Sequence, residues 1–357
     1  MKPTDARAIV ARLAAFALVL GACAPAAAPA AVTLAPTEAL AAGPAVTLEP
    51  VSLRVGHLTL LSNAPFILAQ EYGYFEEQGL SVELVDFGEK PTELLVSLVG
   101  GQVDVGGLSM GSGMINAAGE GTRIRAVADK AFINPQAECV SEAWVARTAL
   151  LESGELDAPG GLKGRTAVIT RGATTEYTAN RLLESRGVTE ADLELVEMPD
   201  FAPRIDAMRN GTLDISYSGE PWITRARSQG VADVWVPAAE LYPNGASGVV
   251  IYGPSMYERD PSVGDRFMVA YLKAVRAFSE GKTERNLEVL TEFTQMDPDE
   301  LRAVCWPSFR LDGHIDLPAA EGYVAWMASK GYIDAVVPLE NLFDTQFVDR
   351  ALALLGE

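Results

Sequence analysis

The chain repeats part of its own sequence at a spacing of 110 residues. GQVDVGGLS at residues 101–109 returns as GTLDISYSG at residues 211–219, with a glycine, an aspartate and a β-branched residue in the same register. Each copy follows an apolar-patterned segment that predicts a helix, PTELLVSLVG before the first and APRIDAMRN before the second. The repeat therefore joins helix and strand in the same way at both places.

The segments around the two copies predict the same order of elements. In the first half, LRVGHLTL predicts a strand, SNAP a turn, FILAQEYGYFEEQG a helix and LSVELVDF a second strand. A helix over residues 91–99 and a strand over residues 103–108 are expected to follow. The same order is expected from residue 164, over GRTAVIT, RGATTE, YTANRLLESRG, LELVEMP, APRIDAMRNG and LDISYS. This β-α-β-α-β order favours a parallel sheet with helices on its faces. We expect an α/β protein of two lobes, each a mainly parallel sheet flanked by helices.

The repeated Gly-x-x-Asp is interpreted as structural. Gly101 and Gly211 are expected to end helices in the left-handed conformation. Asp104 and Asp214 would then lie at the entry of the next strand, where a carboxylate can accept backbone N–H groups. These aspartates are therefore predicted to mark the fold and not to act as catalysts.

The N-terminus has the order of an export signal. Lys2, Arg7 and Arg12 precede the apolar run LAAFALVLGAC, which is short for a membrane span. Leu20-Gly21-Ala22-Cys23 resembles the lipobox of bacterial lipoproteins, although Cys23 can also be read as an ordinary small residue of a signal helix. We predict a lipoprotein signal peptide over residues 1–22, lipidation of Cys23 and a disordered Ala/Pro tether over residues 23–50.

Charge and residue types exclude several function classes. The formal net charge is −20 and becomes −22 without residues 1–22, so binding of nucleic acid is not expected. The only histidines are His57 and His314, and there is no CxxC, so we predict no metal site, no cofactor and no catalytic residues. Whether Cys139 and Cys305 pair is left open by the sequence.

A general rule for parallel sheets places the ligand. Ligands collect outside the carboxyl ends of the strands, where helix N-termini direct N–H groups into the crevice. In the two predicted lobes, the loops concerned are residues 59–65, 108–113, 170–177 and 216–222. The crevice between the lobes is therefore the expected site.

Several of these segments also resemble a known family. VGHLTLLSNAPFILAQEYGYFEEQGLSVELVDF, LLVSLVGGQVDVGG, LKGRTAVITRGATTEYTANRLLESRGV and YSGEPW are similar to the periplasmic solute-binding proteins of ABC importers in the nitrate, sulfonate, taurine and pyrimidine group, which includes thiamine-pyrimidine synthase-like proteins. The resemblance spans residues 52–280 and implies the two-lobed Venus-flytrap fold. It also implies an extracytoplasmic monomer, anchored to the membrane through lipid on Cys23, that binds a small-molecule ligand and works with permease and ATPase subunits. Lobe one would be residues 51–147 and 248–357, and lobe two residues 148–247.

The resemblance also implies a set of ligand-binding residues. They are Asn63, Ala64, Pro65, Ser109, Met110, Gly111, Thr174, Thr175, Glu220 and Trp222. Arg171 could add a charge-assisted bond to an anion, or be a solvated turn residue. Glu220 would repel an anion if it faced the cleft, or it caps a helix.

Aromatic residues near the cleft favour a flat ligand. Phe66, Tyr177, Tyr217 and Trp222 could stack on a heterocycle, although an aromatic residue at any one of these positions is more often part of the core. We therefore expect a heteroaromatic vitamin or precursor of the riboflavin or thiamine-pyrimidine class, with sulfonate, taurine or nitrate as the alternative. An enzyme like thiamine-pyrimidine synthase is disfavoured, because such enzymes carry a cysteine-rich iron-binding motif that this chain lacks.

Overall fold

The computed structural model describes residues 50–88, 90–198, 200–333 and 337–357. The predicted signal peptide, the lipid on Cys23 and almost all of the predicted tether lie outside the described residues. Within the described ranges, no helix combines the length and the apolar character that crossing a membrane requires.

Strands and helices alternate over most of residues 51–252, and helices follow in the rest of the described chain. The strands are β1 Val51–His57, β2 Leu80–Asp86, β3 Val105–Leu108, β4 Arg125–Asp129, β5 Glu142–Arg147, β6 Thr166–Val168, β7 Glu194–Leu195, β8 Ile215–Gly219, β9 Ala232–Pro237 and β10 Val249–Tyr252. The helices are α1 Ala64–Glu71, α2 Tyr74–Glu77, α3 Pro91–Val99, α4 Ser112–Gly119, α5 Thr148–Ser153, α6 Thr174–Ser185, α7 Phe201–Arg209, α8 Trp222–Ser228, α9 Ala238–Leu241, α10 Pro254–Glu258, α11 Pro261–Ser279, α12 Glu284–Thr294, α13 Pro298–Ala303, α14 Leu317–Ser329 and α15 Gln346–Leu355. Short 3₁₀ helices cover Leu61–Asn63, Glu155–Asp157, Glu190–Asp192 and Leu339–Asn341.

The two sheets have the same plan. The first has the strand order β2-β1-β3-β10-β4, and the second has the order β7-β6-β8-β5-β9. In each sheet one strand, β10 or β5, is antiparallel to both of its neighbours, and the other four point the same way. The expected α/β fold of two lobes is confirmed, with each sheet mixed because the chain crosses between the sheets.

Two details differ from the sequence prediction. Strand β5 pairs with β8 and β9, so it belongs to the second sheet, and the boundary expected at residue 147 is too late. The predicted helix over residues 66–79 is divided into α1 and α2, because Gly73 adopts the left-handed conformation with φ of 74°.

The repeated aspartates have equivalent partners in the two sheets. Asp104 accepts the N–H of Arg54 at 2.8 Å, and Asp214 accepts the N–H of Thr166 at 3.1 Å. Asp104 therefore ties the start of β3 to β1, and Asp214 ties the start of β8 to β6. Each also pairs with an arginine, and the Arg147–Asp214 contact is 2.6 Å. The structural interpretation of the Gly-x-x-Asp repeat is confirmed.

The long helix α11 forms the centre of the larger core. Phe267 and Tyr271 on this helix are fully buried, and the ring of Phe66 packs 6.1 Å and 5.5 Å from theirs. Burying one large apolar side chain contributes about 1.5–3 kcal/mol. A second cluster of buried residues runs from Leu94 and Leu98 in the first lobe to Tyr177 in the second, so the two lobes share packed surface.

A disulfide joins Cys139 to Cys305. Their Cα atoms are 5.8 Å apart, and 166 residues separate them in the chain. Cys139 precedes β5, where the chain enters the second sheet, and Cys305 follows α13. The bond therefore fixes the crossing segment to the C-terminal part of the chain, which decides the question that the sequence left open.

Candidate functional site

Helices α4 and α6 begin without a side-chain cap in two of the loops where a ligand is expected. Helix α4 follows β3 with Gly111 at its N-cap, and α6 follows β6 with Ala173. Neither residue carries a side-chain oxygen, whereas Ser, Thr, Asp and Asn are the usual caps. Helices α11 to α14 have such caps, which are Asp260, Thr283, Asp297 and Asp316.

The N–H groups at these two helix starts have no acceptor in the described part of the chain. They belong to Ser112, Gly113 and Met114 of α4 and to Thr174 and Thr175 of α6. The two starts are neighbours across the lobes, because a Cβ atom built on Gly172 would lie 3.3 Å from Ser112 Oγ. Each start carries a partial positive charge of about half an elementary charge. Together they can hold a negatively charged oxygen group.

Arg171 is committed to carboxylates of its own lobe. Its guanidinium donates to Glu176 at 3.0 Å and to Glu190 at 2.7 Å. These bonds, that to Glu190 foremost, raise the pKa of Arg171 above its ordinary value. Because both carboxylates balance its charge, Arg171 is less available to an anion than its position in the sequence suggests, and an anion contact for it stays a prediction.

Glu176 also holds the start of α6 in place. This carboxylate is buried, and it accepts the N–H of Gly172 at 2.7 Å and the hydroxyl of Tyr332 at 2.8 Å. Since Tyr332 follows α14, this contact joins the C-terminal part of the chain to the second lobe. The rest of the α6 start, at Thr174 and Thr175, is half-buried. The Thr175 hydroxyl donates to the carbonyl of Thr170 at 3.1 Å.

The predicted aromatic contacts are occupied by other side chains. Phe66 is fully buried in the core, which corrects the expectation that its ring stacks on a ligand. Tyr177 is buried edge-on against three rings, which are Tyr242 at 4.8 Å, Trp326 at 5.3 Å and Tyr323 at 5.4 Å. These three rings leave Tyr177 little surface for a heterocycle.

Tyr217 and Trp222 have partners within the second lobe. The hydroxyl of Tyr217 donates to Glu142 at 2.6 Å, and burial raises the pKa of Tyr217 well above its ordinary value. Trp222 is half-buried, and its ring stacks on Phe201 with centroids 6.2 Å apart. A ligand contact for these two residues remains a prediction.

Glu220 caps a helix. Its carboxylate accepts the N–H of Thr224 at 3.0 Å and the hydroxyl of Thr224 at 2.8 Å. It also accepts the N–H of Cys305 at 3.2 Å. The capping interpretation of Glu220 is confirmed. An anion in the site is therefore not opposed by an unpartnered carboxylate at this position.

The predicted residues of the first lobe are mostly inaccessible. Asn63 and Ala64 are fully buried, Pro65 is also buried, and Met110 is 3% exposed. Ser109 is exposed, and its hydroxyl donates to the carbonyl of Ser247 at 2.9 Å. The loop after β3 is therefore the accessible part of the predicted first-lobe site.

Two residues were missed in the sequence. Tyr323 is 1% exposed, and its hydroxyl lies beside Thr174 without a hydrogen bond of good geometry to any of the described residues. Lys130 is 3% exposed, and its amine donates to Ser62 Oγ at 2.9 Å. Lys130 directly follows β4, a strand that the sequence prediction did not include, so the strand-end rule could have found it only with that strand in place. No sequence pattern near Tyr323 marks it as a site residue, because α14 lies far along the chain from Thr174, beside which Tyr323 packs.

Comparison with known proteins gives a family. The model of the NMT1-like family matches residues 47–291. The bicarbonate-binding protein CmpA of a Synechococcus strain is 25% identical over 212 residues, which are 55% of this chain and 47% of CmpA. The chain thus spans about half the length of the curated relative that it matches.

Solved structures share the fold at low identity. The aliphatic sulphonate-binding protein SsuA of Escherichia coli is 16% identical with a TM-score of 0.67, covering 83% of this chain and 92% of SsuA. The nitrate-binding protein NrtA of Synechocystis PCC 6803 is 14% identical with a TM-score of 0.66, covering 86% of this chain and 89% of NrtA. The desulfurization enzyme DszB is 13% identical with a TM-score of 0.62, covering 85% and 99%. Both binding proteins and an enzyme therefore share this fold.

Proposed function

This chain belongs to the NMT1-like family, and on that premise we propose that it is the solute-binding component of an ABC importer. Its solute carries a small oxyanion group, such as the bicarbonate, nitrate or sulfonate named in three of its relatives. The protein binds this solute without transforming it. Permease and ATPase subunits are its partners, and it works as a monomer outside the cytoplasm, anchored by lipid on Cys23.

One observation carries the choice of an oxyanion. The starts of α4 and α6 lie next to each other, one from each lobe, and both lack a side-chain cap. An unmet N–H group that becomes buried costs about 1–3 kcal/mol. A solute with several oxygens would meet these N–H groups from both lobes at once. Binding would thereby favour the arrangement in which the lobes are together.

The same structure gives less support to a flat heterocycle. Phe66 is in the core, and Tyr177 is enclosed by three other rings. The riboflavin or thiamine-pyrimidine class, favoured by the sequence, depended on these aromatic residues being available. The alternative drawn from the sequence, a sulfonate, taurine or nitrate, fits the site and the relatives better.

A thermal-shift comparison tests the proposal. The full-length chain is melted with bicarbonate, nitrate, ethanesulfonate, taurine, riboflavin and a thiamine-pyrimidine precursor, with chloride at equal ionic strength as the control. A ligand that binds only the folded state stabilises it by mass action and thereby raises Tm. At a concentration one hundred times Kd, this stabilisation is about 2.7 kcal/mol. We expect a shift with an oxyanion and none with chloride. A shift with riboflavin or the pyrimidine alone would reject the oxyanion.

A further inference from the structure

Lys130 is a buried amine that makes no direct ion pair with any carboxylate of the described residues. Its Nζ contacts two neutral oxygens, Ser62 Oγ at 2.9 Å and the amide oxygen of Asn63 at 3.2 Å, in the orientation that satisfies both ends of that amide. None of the ion pairs among the described residues includes Lys130. Buried charges are normally paired, because transfer of an unpaired charge from water is costly.

The surrounding backbone holds this amine in one place. A Cβ atom on Gly107 would lie 2.8 Å from Cδ of Lys130, and one on Gly248 would lie 2.6 Å from its Cε. The stem therefore passes between two glycines, where no other residue would leave room. Its amine is directed at the 3₁₀ turn of Ser62, in the loop that follows β1.

We propose that Lys130 favours an oxyanion in this site, and that binding of the anion is accompanied by uptake of one proton on its amine. This inference rests on the proposed function. An ammonium can only donate to Ser62 Oγ, which leaves the Ser62 hydroxyl proton for an oxygen of the solute. A neutral amine can instead accept that proton, and Ser62 then presents a lone pair that repels the solute. Lys130 is thus a positioning residue that acts through half-buried Ser62.

Neighbouring groups set the protonation of Lys130. Burial lowers its pKa to about 7, while the carboxylates of Glu142 and Asp129 act in the opposite direction. Glu142 accepts hydrogen bonds from Tyr217 and Ser247, and Asp129 accepts the N–H of Arg310 at 3.2 Å. A bound anion adds negative charge and raises the pKa of the amine further.

The sign of the pH effect follows from these states. Because the anion binds the protonated amine, affinity is full below about pH 7 and falls as the free protein loses the proton above it. Between about pH 6 and about pH 8, affinity should fall about tenfold for nitrate or ethanesulfonate, which keep their charge in this range. Bicarbonate is unsuitable as a probe, because it exchanges protons itself.

Titration calorimetry on the full-length chain tests the inference. Nitrate and ethanesulfonate are titrated at about pH 8 in two buffers of different ionisation enthalpy, which gives the number of protons taken up. We expect close to one proton in the wild type, and at least about tenfold weaker, pH-independent binding without proton uptake in Lys130→Met. Lys163→Met, which removes an exposed lysine of the second lobe, is the matched control and should behave as wild type.

The outcomes separate the inference from the proposed function. Wild-type binding without proton uptake would overturn the role of Lys130 and leave the oxyanion proposal standing, and this result needs no variant to fold. Proton uptake that persists in a folded Lys130→Met would assign the proton to Asp129 or Glu142 and would also overturn it. If neither anion nor bicarbonate binds the wild type, the proposed function itself fails.

Discussion

A side-chain cap added at the start of α6 should raise the free energy of unfolding and lower the affinity for the solute. Ala173 has φ of −133° and ψ of 170°, which is the extended conformation of an N-cap residue. An aspartate at this position can therefore accept the N–H of Thr175 without a change in the backbone. The variant Ala173→Asp would occupy the N–H groups that we assign to the solute.

The magnitude follows from capping energies and Coulomb's law. Replacing alanine by a good cap contributes about 1 kcal/mol to stability, and a carboxylate at a helix start adds about 0.3–1 kcal/mol. The free protein should therefore gain about 1–2 kcal/mol. The same carboxylate would repel a bound anion about 4 Å away by up to about 4 kcal/mol at the effective dielectric of a protein surface. We expect affinity for the oxyanion to fall at least tenfold.

Urea unfolding and calorimetry measure the two effects separately. Ala173→Asn offers a cap without charge, so it should gain stability but lose less affinity than Ala173→Asp. Thr283→Ala removes an existing cap from α12, where Thr283 accepts the N–H of Asn286 at 3.2 Å. It should lose about 1 kcal/mol of stability and no affinity. An Ala173→Asp protein that is more stable and binds the anion as tightly as wild type would refute the assignment of α6 to the site.

Other features of the chain give three further expectations. Asp214→Asn should lower the free energy of unfolding by about 3 kcal/mol, because it weakens the bonds to Arg147 and to the N–H of Thr166, and an unchanged urea midpoint would contradict this. Reduction of the disulfide of Cys139 should cost about 2–4 kcal/mol, measured by urea unfolding with and without reductant. Cys23→Ser should release the protein from the membrane fraction, and continued retention would reject the lipobox.

The parts of the fold that the sequence predicts are those set by local patterns. Helix α3 lies over residues 91–99 as expected, and Gly101 and Gly211 have φ of 68° and 75°. Apolar periodicity and glycine conformation depend only on neighbours in the chain. The contacts of Arg171 could not be predicted in this way, because its partner Glu190 lies 19 residues further along the chain. Glu190 begins a 3₁₀ helix, and only the folded chain places it beside Arg171. Lys130 is likewise ordinary in the sequence and unusual only once its burial is known.

The repeat explains where helices begin, and side chains decide which of these starts a solute can reach. By the repeat, α1 corresponds to α6 and α4 to α8. At α1 the start is fully buried and Pro65 lacks an N–H group, while at α8 Glu220 supplies the cap. The two open starts, α4 and α6, are therefore not equivalents of each other. A site built this way has no symmetry, so a solute would meet the lobes in one orientation, with Lys130 on the side of the first lobe only.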